Sequence, residues 1–141
     1  AANIAGKAIN ITQMTAGHAM CYKLTSLYGI AHGHAAALCN AALWPYMAQH
    51  MEKCIDPRGK NYLEDLFLET ASAMGCGSID EALTRYQSIL AELGMDAPIM
   101  KNVSDLEVLT ESVNPARLRN NPMRLDKETL RYLYKLILNI N

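Results

Sequence analysis

Apolar positions along this chain recur at intervals of three and four almost from end to end, the period of helices that bury one face. Residues 1–11 are small and apolar, with little β character and no capping residue ahead of them. The next helical stretch runs over residues 15–28 and is stopped by Gly29, which suits a helix C-terminus. A third, alanine-rich stretch covers 33–52 and contains Trp44-Pro45, where proline predicts a kink or a break. Asp56-Pro57-Arg58-Gly59 reads as a turn. After Asn61, Leu63, Leu66, Phe67 and Met74 share one face, and Gly75 and Gly77 end the run.

The second half is more sharply punctuated. Ser78-Ile79-Asp80-Glu81 has the spacing of a capping box, in which the hydroxyl accepts an orphan backbone N–H and the carboxylate accepts another. Leu83, Tyr86, Leu90 and Leu93 then form an inward stripe closed by Gly94. Ser104-Asp105-Leu106-Glu107 has the same capping spacing. Asp126 caps the last helix, Leu125 and Leu130 suit its hydrophobic staple, and Leu130, Leu133, Tyr134 and Ile137 face inward. Short β-prone runs such as Ala97–Met100 are too weak to count as strands. The pattern therefore predicts an all-α bundle of six or seven helices in one domain.

Composition narrows the class. Of 141 residues half are apolar, enough to bury a real core, and the formal charge is −1. So balanced a chain argues against a nucleic-acid surface and an electrostatically held membrane partner. No apolar run approaches the roughly 20 residues that cross a bilayer. Cys21, Cys39, Cys54 and Cys76 fit no zinc motif and no Cys-x-x-Cys pair, and read as reduced, mostly buried thiols of a cytoplasmic protein.

Candidate chemistry is concentrated in Ala16-Gly17-His18-Ala19-Met20-Cys21-Tyr22 and Gly29-Ile30-Ala31-His32-Gly33-His34. Imidazole binds mid-transition metals and titrates near neutrality. His18 lies within one helical stretch and His32 just beyond the glycine that ends it, so the two can approach one ion from different directions. Taken singly, each is equally an ordinary hydrogen-bonded histidine. Tyr22 sits one helical turn after His18, on the same face, as a hydrogen-bond donor in a site or as core filling. His34 either faces solvent or lines the rim. His50 reads as a surface group favoured by a helix C-terminus, and Trp44-Pro45-Tyr46 and the eight methionines as packing.

These residues also resemble a known family. Ala16-Gly17-His18, followed fourteen positions later by His32 between Ala31 and Gly33, resembles the metal-binding signature of the iron-containing alcohol dehydrogenases. Asn114-Pro115-Ala116-Arg117-Leu118 and Asn121-Pro122-Met123-Arg124-Leu125 resemble their C-terminal tail, and Ala5-Gly6-Lys7-Ala8-Ile9 also fits. The resemblance implies the all-helical C-terminal domain of a two-domain enzyme. It implies a divalent ion, iron or in some members zinc, held by one aspartate and three histidines, with His18 and His32 as two of them. The other ligands and the dinucleotide-binding N-terminal domain would lie upstream. NAD or NADP, a small alcohol or aldehyde substrate and a homodimer or larger assembly are implied for the full-length parent, with the fragment itself inactive. Gly29–Ala36 and Trp44-Pro45-Tyr46 are similar to members acting on small polar or phosphonate-bearing aldehydes. Two departures stand out: Ala31 replaces a frequent proline, and Tyr22 replaces a frequent histidine, which puts a proton-relay role there in doubt. The competing reading is a stand-alone helical module in which His18, His32 and His34 sense a metal or pH.

Overall fold

The computed structural model describes residues 2–140, and among them eight α-helices and one short 3-10 turn. Helix α1 spans Ala2–Ile9, α2 Ala16–Tyr28, α3 His32–Gln49, α4 Lys60–Ala73, α5 Ile79–Glu92, α6 Asp105–Ser112, α7 Pro115–Leu118 and α8 Lys127–Ile137. Seven correspond to the stretches read from the sequence. The eighth, α7, is a single turn inside the Asn-Pro tail, started by Asn114, whose side chain accepts from the Ala116 N–H at 2.9 Å. The expected start of the first helix at Ala1 lies outside the described residues. Ala97–Met100 forms no strand, and the isolated bridge between Cys54 and Met123 is the β pairing seen among the described residues.

The architecture is built on α2 and α3. Gly29 closes α2 in the left-handed region (φ 71°) and its N–H donates to the Thr25 carbonyl at 2.9 Å. A side chain there would strain the backbone, so glycine makes the sharp reversal feasible. Three residues later α3 begins, and the two helices pack against each other. Both carry small buried residues, Ala16, Gly17, Ala19 and Cys21 in α2 and Ala35, Ala36 and Cys39 in α3. At Gly17 there is no room for a side chain: an added Cβ would collide with Asn40 Oδ1 and come within 3.1 Å of Asn40 Cγ.

Helices α6 and α8 complete the main core, which joins Met20, Leu24, Leu43, Leu106, Leu109, Leu130, Leu133 and Tyr134. Tyr134, fully buried, donates from its hydroxyl to the Met20 carbonyl at 2.9 Å and ties α8 to α2. Two smaller clusters lie against it. Leu63 and Phe67 of α4 pack with Met123 of the tail, and Ala71, Cys76 and Ala82 close the α4–α5 junction, with Trp44 at the edge of both. All four cysteines are free thiols, three of them buried. No helix among the described residues is long and apolar enough to cross a membrane.

Several local expectations hold. Asp126 caps α8 by accepting from the Thr129 N–H at 2.8 Å, and Leu125 and Leu130 are both buried beside that turn. Ser78 caps α5, its hydroxyl accepting from the Glu81 N–H. The Glu81 carboxylate reaches one residue further back than a standard box, to the Gly77 N–H at 2.7 Å.

Others are corrected. Pro45 does not break α3, which runs through it to Gln49, short of residue 52, and Met51–Lys53 forms the 3-10 turn. Proline removes one backbone donor, but Leu38, Cys39, Ala42, Leu43 and Tyr46 on the flanking turns are buried and hold the helix in place. Leu66 and Leu93 belong to no inward face, being 41% and 63% exposed. Leu93 follows the last turn of α5, and Gly94, at positive φ, swings the chain away. Ser104 makes no capping bond. Instead the Asp105 carboxylate turns back to accept from the Lys101 and Asn102 N–H groups and from the Tyr28 hydroxyl at 3.1 Å, fastening the loop before α6 to the end of α2.

Two outcomes follow from this packing. Gly17→Ala is expected to destabilise the fold by about 1–3 kcal/mol through overpacking, lowering the melting temperature, with Asn40→Ala in the same chain restoring part of the loss. An unchanged melting temperature would mean that the α2–α3 approach does not depend on Gly17. Burial opposes ionisation of Asp105, but the bonds it accepts prevail and its pKa is lowered. A carboxyl with a depressed folded-state pKa contributes stability above its unfolded pKa of about 4 and loses it as pH falls through the folded value. Thermal melts between neutral pH and strong acid should therefore fall below about pH 4, and Asp105→Asn should lower the melt at pH 7 while flattening that acid slope. Equal slopes for the two proteins would remove Asp105 from the account.

Candidate metal centre

The junction between α2 and α3 brings together the side chains that the sequence singles out. His18 is the third residue of α2 and His32 the first of α3. Because Gly17 and Asn40 hold the helices in close contact, the two imidazoles face a common space, with ring centroids 5.5 Å apart and planes inclined at 54°. Tyr22, one turn after His18, stands beside His32 with a centroid separation of 5.4 Å. It is 46% exposed, so its ring is not core filling.

The pair fits a shared ion. With metal–nitrogen distances near 2.1 Å, each ring centroid lies roughly 3.2 Å from the ion, and two ligands at about 90–120° stand roughly 4.6–5.6 Å apart. The observed 5.5 Å lies within that range. Burial, followed by the charge of His32, lowers the His18 pKa, which favours the neutral imidazole a metal requires. Cys21 approaches His32 as well, its sulfur 3.7 and 3.9 Å from the two ring nitrogens. Nearly equal distances to both nitrogens mark a loose contact rather than a directed bond. The thiol donates to the His18 carbonyl, and burial raises its pKa, so it is held protonated. Two imidazoles do not complete a coordination sphere, and no group of three or more His, Cys, Asp or Glu is gathered for a metal among the described residues.

The remaining histidines lie elsewhere. His34 Nε2 is 2.9 Å from the Asp96 carbonyl, to which it must donate because a carbonyl only accepts. It is thereby turned toward the loop after α5. His50 ends α3, bonding the Tyr46 carbonyl at 2.8 Å and stacking on its ring at 4.2 Å, in keeping with its place at a helix C-terminus.

A cavity of about 250 Å3 opens beside His18, lined also by Gln13, Thr15, Tyr22, Arg117 and Asn120. The Arg117 guanidinium lies over the Tyr22 ring at 4.5 Å. Sequence reading placed Arg117 only within a tail motif and passed over Cys21. Cys21 carries a weak signal, three residues after His18 on the same helix. Arg117 carries none, because α7 reaches the site through a tertiary contact with α2.

The sequence profile of the Fe-containing alcohol dehydrogenase family, C-terminal, matches residues 1–138. The chain belongs to that family. As a C-terminal domain of the Fe-containing alcohol dehydrogenases it is similar to the phosphonoacetaldehyde reductase of Streptomyces viridochromogenes, with 32% identity over 131 residues, 92% of this chain and 33% of that protein. The chain thus spans about a third of the length of the curated relative it matches. No solved structure matches it. Within this iron-containing alcohol dehydrogenase domain, the α2–α3 junction is where chemistry-bearing side chains and an open cavity coincide.

Proposed function

We propose that this domain supplies part of the metal centre and the substrate-facing wall of a metal-dependent, NAD(P)-linked alcohol dehydrogenase or aldehyde reductase. The single observation that carries the reading is the convergence of His18 and His32, 5.5 Å apart at the α2–α3 junction, in a chain of this family. In the full-length parent a divalent ion, iron or zinc, would polarise the substrate oxygen, and a reduced nicotinamide would provide the hydride.

The reaction is reversible. In the reducing direction the substrate carbonyl becomes an alcohol and its oxygen takes up a proton. His18 and His32 would hold the ion as neutral donors, leaving its full positive charge available to the oxygen. Tyr22, half-exposed beside His32 and lining the cavity, offers its hydroxyl as a hydrogen-bond donor to substrate or water. The remaining ligands and the nucleotide-binding surface belong to an N-terminal domain of the parent, and the isolated fragment is inactive.

The surroundings of the site support a covering domain. Ile4, Ile9 and Ile11 in and after α1 are 73%, 50% and 87% exposed, and α1 has no substantial packing partner among the described residues. An exposed apolar helix suits a surface that another domain covers. The relative's name, phosphonoacetaldehyde reductase, supports an aldehyde as the substrate class of this reading.

The test is metal content and turnover of the full-length parent. His18→Ala and His32→Ala should each reduce bound iron or zinc, measured by mass spectrometry on purified protein. Each should also lower aldehyde-dependent NAD(P)H oxidation by at least about 100-fold, as expected when a ligand of a catalytic ion is lost. Unaltered metal content in both variants would overturn the assignment.

A further inference from the structure

The cavity beside His18 carries one positive side chain and no carboxylate. Its polar lining is otherwise made of neutral groups, Gln13, Thr15 and Asn120. Arg117 is not held as Arg58 and Arg131 are; among the described residues it shares the lack of an ion pair with Arg85, Arg119 and Arg124, and its place in the cavity lining sets it apart. Arg58 is paired with Asp56 at 2.8 Å and Arg131 with Glu107 at 2.7 Å. Among the described residues the Arg117 guanidinium makes no ion pair, and it rests instead on the face of Tyr22.

That arrangement has a chemical consequence. The cation–π contact uses none of the guanidinium N–H donors in a hydrogen bond, and among the described residues no side chain or carbonyl accepts from them. Those donors match tetrahedral oxyanions and bind them through paired, charge-assisted bonds. Tyr22 in turn stands 5.4 Å from His32, so the guanidinium and the histidine pair are separated by one aromatic ring. A molecule bridging them must be short, with an anionic head at one end and an oxygen within reach of the histidines at the other.

We infer that Arg117 is a specificity-determining residue that binds the phosphonate or phosphate head of a short-chain aldehyde whose carbonyl lies at the His18 end of the cavity. Asn120, Gln13 and Thr15 supply neutral donors to the remaining head oxygens, and Tyr22 fixes the guanidinium plane. This rests on the dehydrogenase reading for the aldehyde end, while the anion site stands on the cavity and the unpaired guanidinium.

The experiment uses the full-length parent and separates the two. Methylphosphonate and methyl phosphate are titrated into wild type, Arg117→Ala and Arg117→Lys, with binding followed by phosphorus NMR. In parallel, kcat/KM is measured for phosphonoacetaldehyde, glycolaldehyde phosphate and propanal. Wild type should bind at least one of the two anions, and preference between them shows whether a carbon-bound or an ester head is the natural one. Arg117→Ala should weaken that binding about 100-fold and reduce the preference for the anionic aldehyde over propanal by a similar factor, with Arg117→Lys intermediate. A merely structural role in covering Tyr22 would lower turnover of all the aldehydes together and leave the preference unchanged, which overturns the inference. Failure of wild type to bind either anion overturns it as well. Anion binding lost in Arg117→Ala, in a protein that reduces no aldehyde, would uphold the anion site and reject the dehydrogenase reading.

Discussion

The close contact between α2 and α3 is the constraint on which the rest depends. Where α2 and α3 meet, Gly17 leaves room for the Asn40 side chain, and a helix faced with so small a residue can be approached more nearly than one faced with leucine. Gly17 immediately precedes His18 in the chain. The three-residue connection from Gly29 to Ala31 then delivers His32 at the first position of α3. No hydrogen bond joins the two imidazoles, so their 5.5 Å separation follows from where α2 and α3 place them. Shifts of an ångström in helix spacing would pass directly into the ring separation, because interiors transmit strain rather than absorb it.

Stability and chemistry are divided between the faces of that helix pair. The inner faces are sealed by the main core, with Met20, Leu24, Leu43, Leu109, Leu133 and Tyr134 all 2% exposed or less. The outer face keeps a half-exposed tyrosine and an open cavity. Side chains there meet through ring contacts, Tyr22 tilted against His32 and the Arg117 guanidinium over Tyr22. Such contacts leave polar edges free, whereas a residue fixed by buried hydrogen bonds, such as Asp105, has no donor or acceptor capacity to spare for a ligand.

The parts of this structure that could be read in the sequence are those governed by local rules. The Asp126 cap, the Gly29 stop and the Leu130–Leu133–Tyr134–Ile137 face each follow from residues within a few positions of one another. Departures occur where a tertiary contact outweighs the local rule. Pro45 is carried within α3 because the turns around it are buried, and Ser104 makes no capping bond while Asp105 holds the loop at Lys101 and Asn102 and the Tyr28 hydroxyl. The candidate site divides the same way. His18, Tyr22 and His32 were visible from spacing around one helix end. Arg117 lies nearly a hundred positions further on and meets Tyr22 only because α7 docks on α2, a contact that no periodicity encodes.

The electrostatics of the site also bear on why a second domain would matter to it. Two neutral imidazoles contribute no negative charge toward a divalent ion, and the only thiol beside them is held protonated by burial. Left with water for its other ligands, such an ion would be held weakly, since affinity rises with the number and charge of donors that a rigid site presents. Under the proposed function a carboxylate and further imidazole from the N-terminal domain supply that missing charge and coordination. Metal binding and domain closure then become one equilibrium: an ion that prefers the assembled site stabilises the interface by the same free energy with which the interface increases its affinity. The exposed apolar residues of α1 act in the same direction, favouring closure before any ion is bound. Under the same proposal, His18 and His32 would complete a centre that exists in full only when both domains meet.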